Sequence, residues 1–213
     1  DIQPNKVEFA NDLYKPSILI AGCGTGQQLA DTICYRNANV TAVDLSLSSL
    51  AYAKRKIEEI GYNKIEFLHG DILNLASLNK QFDVVECMGV LHHMKDPLSG
   101  LKILVNLLKP QGVLKLGLYS ELARQHIIKI REFIKKNKFS KSLEDIRNCR
   151  EIIKSKIDDQ LLQKITYNFD FYSTSSTRDL IFHVQEHRYT ILEISKILKN
   201  FNLEFLGFTN PHI

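Results

Sequence analysis

The sequence predicts an α/β fold with a doubly wound, mostly parallel sheet, on three observations. Short apolar strand signals alternate with helix signals through the first half of the chain, a pattern that calls for parallel strands joined by crossover helices. A glycine-rich turn, Ala21-Gly22-Cys23-Gly24-Thr25-Gly26, lies between the first strand and the first helix. After the fifth strand the alternation stops and helix follows helix.

The elements follow in order. Ile18–Ala21 is a short apolar run ending in glycines, and residues 26 to about 35 read as a helix. Val40–Val43 is a β-branched strand. Ser46 can cap a helix through about Ile60, with Leu47, Leu50, Ala51, Ile57 and Ile60 on one face and Gly61 as its stop. Ile65–Leu68 and Phe82–Cys87 give strands three and four. Asp96-Pro97 opens a helix, as cap and first-turn proline, that runs to about Leu108. Lys109–Gly112 is a turn and Val113–Tyr119 a fifth strand.

Residues 120–168 then read as a helical insertion within a single 1–213 domain. It starts at the carboxyl end of strand five, the edge at which open α/β sheets bind ligands, so it is expected to act as a lid. Capping boxes at Ser176-x-x-Asp179 and Thr190-x-x-Glu193 predict two further helices, and Leu203–Phe208 a last strand. The stretch from Gly207 to Ile213 is too short to add an antiparallel partner, so the C-terminal hairpin is expected to be truncated and the chain to be a domain of something longer.

Composition narrows the class. The chain has 213 residues, 44% hydrophobic and 24% charged, enough for a proper core. No apolar run reaches the roughly 18–20 residues of a membrane span, so no membrane partner is expected. Cys23, Cys34, Cys87 and Cys149 form no C-x-x-C pair, which argues against a disulfide framework and for a reducing cytoplasm. The net charge of +4 is uneven: Ser120–Asn168 holds 12 Lys/Arg against 7 Asp/Glu, a surplus of 5. That surplus is either a solvated helical face or a surface for an anionic partner.

The turn is specific in what it excludes. A Walker loop would end in Gly-Lys-Ser/Thr, whereas Gly26 is followed by Gln27-Gln28. The dinucleotide fingerprint would want Gly or Ala at position 27. Asp44 ends the second strand 18 residues after Gly26, where a carboxylate can accept both hydroxyls of a ribose. Asp71, after the third strand, is either a ligand contact or a helix cap.

The G-x-G-x-G spacing resembles motif I of class I, Rossmann-like S-adenosylmethionine-dependent methyltransferases. Phe82-Asp83-Val84-Val85-Glu86-Cys87-Met88-Gly89-Val90-Leu91-His92-His93 is similar to that family's fourth strand and loop, and Leu107–Gly112 to its "LLKPGG" turn. More narrowly, "ELARQHI" and "RDLIFHVQEHRYT" resemble bacterial methyltransferase domains attached to tetratricopeptide repeats. The resemblance implies S-adenosylmethionine as cofactor. It would be held by Ala21, Gly22, Cys23, Gly24 and Gly26 at the methionine end, by Asp44 at the ribose, and by Leu45, Asp71, Ile72 and Met88 around the adenine and the loop. The family's acid two positions before the first glycine is Ile20 here, which leaves the ammonium to carbonyls near Ala21 and Met88.

His92 and His93 are the candidate catalytic bases, and either could instead hold the loop. Tyr119, Arg124 and His126 fall where a lid helix would meet the site. The loop after strand four lacks the Asn/Asp-Pro-Pro-Tyr/Phe of amino-methylating nucleic-acid enzymes and the chain has no Pro-Cys dipeptide, so nucleic acid is disfavoured. The expected acceptor is a small molecule or protein side chain; a catalytically silent S-adenosylmethionine-binding module is the alternative. His183-Val184-Gln185-Glu186-His187 spells the H-x-x-E-H of inverted zincins. That motif needs one continuous helix, and the cap at Thr190 starts a new one just beyond, so no metal is expected.

Overall fold

The computed structural model describes residues 15–32, 37–62, 64–156, 164–183 and 185–209. The strands are β1 (Ser17–Ala21), β2 (Asn39–Asp44), β3 (Ile65–His69), β4 (Phe82–Met88), β5 (Leu108–Gly117), β6 (Tyr119–Ser120) and β7 (Arg188–Tyr189). The α-helices are α1 (Gln27–Thr32), α2 (Leu47–Glu59), α3 (Pro97–Asn106), α4 (Gln125–Lys136), α5 (Leu143–Lys156), α6 (Thr174–Phe182) and α7 (Ile191–Asn200). The chain divides into two compact units, Asp1–Leu118 with Ile191–Ile213, and Tyr119–Thr190.

The first unit is built on a five-stranded sheet of order β3-β2-β1-β4-β5 with every neighbouring pair parallel. Successive strand residues face opposite sides, so the sheet buries two faces. On one, Ile18, Ile20, Val40 and Ala42 meet Leu29 of α1 and Leu50, Ala53 and Ile57 of α2. On the other, Leu19, Ala21, Val43, Val85 and Cys87 meet Leu101 and Leu104 of α3, with Ile197 and Phe201 packed against them. Each of the buried valines, leucines and isoleucines contributes roughly 1.5–3 kcal/mol.

Caps set the boundaries. The Ser46 hydroxyl accepts from the Ser49 N–H (3.2 Å), and Asp96 accepts from Leu98 and Ser99 N–H (3.1 and 3.3 Å) with Pro97 following. At the amino end of the strands, Asp83 ties three segments. Its carboxylate accepts from the Ser17 backbone N–H (2.8 Å), the Ser17 hydroxyl (2.7 Å) and the Lys109 ammonium (2.8 Å). Burial alone would raise the Asp83 pKa; the bonds from Lys109 and Ser17 outweigh it and hold it at about 2.

The second unit has its own core. Ile127, Ile130 and Ile134 of α4 and Ile146, Cys149 and Ile153 of α5 close on Ile165, Phe171 and the Leu180–Phe182 end of α6. β6 and β7 pair in parallel, Tyr119 with Arg188 and Ser120 with Tyr189. Beside them Glu186 has a fully buried side chain bonded to three arginines, Arg124 (2.8 Å), Arg131 (3.2 Å) and Arg188 (3.4 Å). Burial would push the Glu186 pKa up; the Arg124 and Arg131 guanidinium groups and Arg188 overcome it and hold it below the usual carboxylate value.

The structure corrects several expectations. The helical stretch expected over residues 120–168 falls within the Tyr119–Thr190 unit, whose core also takes in the Leu180–Phe182 end of α6. The helix expected at Ser176 starts a turn earlier: Ser173 is its cap and its hydroxyl takes the Ser176 N–H at 2.9 Å. Leu47 and Ile60 are exposed, and the buried stripe of α2 is Leu50, Ala53 and Ile57. The turn at 109–112 lies inside β5 as a register shift rather than before it, with Gln111 at φ 64°. Leu203–Phe208 forms no strand, as no described strand pairs with it, and Phe205, Leu206 and Phe208 are exposed. No helix of the described residues is long and apolar enough to cross a membrane. Cys23, Cys87 and Cys149 are buried free thiols; Cys34 lies outside the described residues.

Candidate active site

The strand order reverses between β1 and β4, which are direct neighbours. Chain leaving the carboxyl ends of two strands at such a point diverges to opposite faces and opens a crevice, the usual ligand site of this architecture. The crevice is bounded by the glycine turn after β1, by Met88 at the end of β4 and Gly89 beyond it, and by Asp44 at the end of the next strand, β2.

The turn is folded by backbone bonds to its neighbours. The N–H groups of Gly22 and Cys23 both donate to the Val43 carbonyl (2.8 and 3.0 Å), and the Gly26 N–H donates to the Cys23 carbonyl (2.9 Å). Gly22 has φ +80°, and a Cβ there would stand 2.3 Å from Cγ2 of Val90. Gly24 has φ +52°, but nothing lies within 4 Å of where its Cβ would be. The first glycine is required by packing; the second keeps space clear. Gly22→Ala is therefore expected to lower stability by about 1–3 kcal/mol through overpacking, and Gly24→Ala by about 1 kcal/mol from its left-handed backbone alone. Urea unfolding of the two variants checks the order.

Asp44 is the centre of the arrangement. One carboxylate oxygen accepts from the Gly24 N–H at 2.7 Å and the other from the Ser46 N–H at 2.8 Å. Since a carboxylate offers about four acceptor sites, both oxygens retain capacity for further donors. Leu45 beside it is 69% exposed, a large apolar side chain turned outward, and its carbonyl meets Nε2 of His69 at 2.9 Å. Asp71 caps the short helical segment Ile72–Leu78, accepting from the Leu73 N–H at 2.9 Å. Ile72 is buried in the core, so only its backbone is offered to a ligand.

Cys23 is buried, and burial together with the Asp44 charge pushes its thiol up to about 12. It is a neutral packing group, not a nucleophile. Glu86, in β4, is buried in register with Ile20 on one side and Lys115 on the other, with the Lys115 ammonium at 3.5 Å. His92 is buried to 1% exposure and stacks edge-on against His93 with ring centres 4.3 Å apart. Of the two, His93 is the half-exposed one. One group escaped the sequence reading: Gln28, in the first turn of α1, donates its amide N–H to the Met88 carbonyl at 3.3 Å, bridging the two sides of the crevice. Its place two residues after the glycine turn was the only available signal.

Within the second unit, a cavity of about 520 Å³ is lined by residues that include Tyr119, Lys141, Asp170, Arg178, Asp179 and His183. The Arg124 guanidinium stacks over the Tyr119 ring at 3.6 Å. Burial is the main cause that raises the Tyr119 pKa above the usual phenol value. Burial is likewise the first cause that lowers the pKa of His126. The H-x-x-E-H stretch is not one helix: α6 ends at Phe182, and His183 is its extended C-cap, with Nδ1 against the Gln185 carbonyl at 2.7 Å. Glu186 is spent on arginines, so the spacing carries no zincin geometry.

Residues 18–112 match the family described as "Methyltransferase domain". That match, over a little under half of the chain, together with the parallel-sheet fold supports a class I S-adenosylmethionine-dependent methyltransferase with S-adenosylmethionine as cofactor. An uncharacterized protein of Synechococcus sp., syc1184_c, is 31% identical over 212 residues, 94% of this chain and 50% of that one. A ubiquinone biosynthesis O-methyltransferase of Actinobacillus pleuropneumoniae is 36% identical over 110 residues, 49% of this chain and 46% of that one. The chain thus spans about half the length of these curated relatives. Among solved structures, PKMT2 from Rickettsia typhi superposes with a TM-score of 0.74 at 20% identity over 94% of this chain and 42% of that one. Its complex with AdoHcy gives 0.68 at 22% over 92% and 40%. At these identities the likeness is one of fold.

The residues present fit the cofactor. The crevice combines an acid with spare acceptor capacity, an exposed apolar neighbour and a glycine position left clear of side chains.

Proposed function

We propose that this chain transfers the methyl group of S-adenosylmethionine to a small molecule or a protein side chain. The observation that carries the reading is Asp44, whose two oxygens hold the glycine turn and the start of α2 while keeping lone pairs for a ribose. In this reading Leu45 packs against the adenine, Asp71 and the Ile72 backbone meet its edge, and Ala21, Gly22, Gly24 and Met88 flank the amino-acid end. When bound, the cofactor supplies an already activated methyl, so the protein's part is alignment of the acceptor and exclusion of water. His93 is the candidate base, and His92, being buried, holds the loop.

The acceptor class rests on three supports. The loop after β4 reads Glu86-Cys87-Met88-Gly89, without the proline-aromatic platform of amino-methylating nucleic-acid enzymes. A cavity of about 520 Å³ in the second unit has the size of a small-molecule site. The ubiquinone biosynthesis O-methyltransferases, relatives over half the chain, are by name methylating enzymes of a small molecule. We assign the Tyr119–Thr190 unit, which leaves the sheet at the carboxyl end of β5 and carries the surplus positive charge, to acceptor recognition, with an anionic acceptor favoured. The three buried thiols fit a reducing cytoplasm. A catalytically silent binding module is the second reading, favoured by Ile20, which puts an apolar group where the family has an acid.

The test is an extract incubated with the protein and radiolabelled methyl donor, then fractionated into protein, nucleic acid and small molecules. Label in the small-molecule or protein fraction is expected. Label confined to nucleic acid would contradict the acceptor class, and cofactor binding without any label would favour the silent module.

A further inference from the structure

We infer that Gln28 binds the ammonium of the cofactor's amino-acid end, an inference that rests on the cofactor reading above. The Gln28 side-chain oxygen Oε1 is buried and has no hydrogen-bond partner among the described residues. Buried acceptors in native proteins are nearly always paired, so an orphan one calls for an explanation. Its orientation is not arbitrary. The Met88 carbonyl can only accept, so the amide group facing it at 3.3 Å must be the NH₂, and the oxygen is turned away from Met88.

The location supplies the missing donor. S-adenosylmethionine ends in an amino acid, and its ammonium brings three N–H donors to the crevice between the glycine turn and β4. Side-chain acceptors to join the carbonyls near Ala21 and Met88 are few there. Ile20 offers none and is fully buried. The Cys23 thiol, buried, stays neutral at any ordinary pH. Asp44 lies one strand over, and the lone pairs left by its two backbone N–H bonds are assigned to the ribose. Gln28 and Met88 present two oxygens on either side of one hydrogen bond. An ammonium bonds at about 2.8 Å, so oxygens up to roughly 5.6 Å apart can share it, and the amide's own geometry keeps Oε1 within that span of the Met88 carbonyl. A neutral amide thus does at Gln28 what a carboxylate would do at position 20, with the Met88 carbonyl as its second arm.

The experiment is calorimetric titration of the whole chain with S-adenosylhomocysteine and with its desamino analogue, which keeps the carboxylate and lacks only the ammonium. The wild-type protein is expected to prefer the former by about tenfold or more. In Gln28→Met, which preserves volume, and Gln28→Ala the preference should fall to about threefold or less, with affinity for the desamino analogue unchanged within about twofold. An unchanged preference overturns the inference. So does equal weakening of both ligands, which would mean that Gln28 merely shapes the loop through Met88. A wild-type protein that binds neither ligand would sink the cofactor reading itself, a different failure from the other two.

Discussion

Replacing Glu186 with alanine is expected to destabilise the Tyr119–Thr190 unit by about 3–5 kcal/mol, the usual result of removing one partner from a buried ionic cluster. The cause is not the loss of attraction alone. Arg124, 12% exposed, and Arg131 and Arg188, a quarter exposed, would be left facing one another with their carboxylate gone. Among the described residues Arg124 would keep its stacking on Tyr119 and a long bond to the Leu180 carbonyl. Arg188 would keep Glu121 at 2.8 Å. Glu186→Gln preserves the shape and should lose less, about 2 kcal/mol. Hydrogen exchange at α4 and α6 amides under increasing urea measures the effect where it occurs; a loss under about 0.5 kcal/mol would mean the cluster contributes nothing net. The pH dependence has a definite sign. The folded-state pKa of Glu186 is depressed, so its contribution is complete above the usual carboxylate value and is lost as pH falls through the lowered one.

Asp44→Ala should weaken S-adenosylmethionine binding by roughly 1.5–3 kcal/mol, tenfold or more, through loss of charge-assisted bonds to the ribose. The substitution also frees the Gly24 and Ser46 N–H groups, so some of the loss comes from a looser turn. Titration with S-adenosylhomocysteine and its 2′-deoxy analogue separates the two. If Asp44 holds the ribose, Asp44→Ala should narrow the gap between those ligands as well as weaken both. An unchanged affinity would remove Asp44 from the site.

What could be read in the sequence was whatever depends on near neighbours. Ser46, Asp71 and Asp96 act as caps because their partners lie two or three residues on, and all three were visible. The glycine turn was legible because Gly22, Gly24 and Gly26 all hold left-handed backbone angles that favour glycine, a local property. Ser176 was misread for the same local reason: Ser173, three residues earlier, competes for the same helix start and wins. Leu203–Phe208 has the composition of a strand, but a strand exists only with a partner, and no local pattern supplies one. The stripes Ile127-Ile130-Ile134 and Ile146-Cys149-Ile153 announce two helices, yet not that they close with Phe171 and Ile181 into a separate core. Gln28 was invisible for the same reason, since its partner Met88 lies 60 residues away. Glu186 stands in the sequence only as part of the H-x-x-E-H spacing; Arg188 is two residues on, but Arg124 and Arg131 come from a distant segment at α4.

The central claim is that the crevice between β1 and β4 is an S-adenosylmethionine site. Calorimetric titration of the purified chain with S-adenosylmethionine, S-adenosylhomocysteine and NAD tests it most directly. The account predicts one site per chain for each of the first two, sharing one competition curve, and no heat from NAD. Binding of NAD with no response to either sulfur ligand would contradict it.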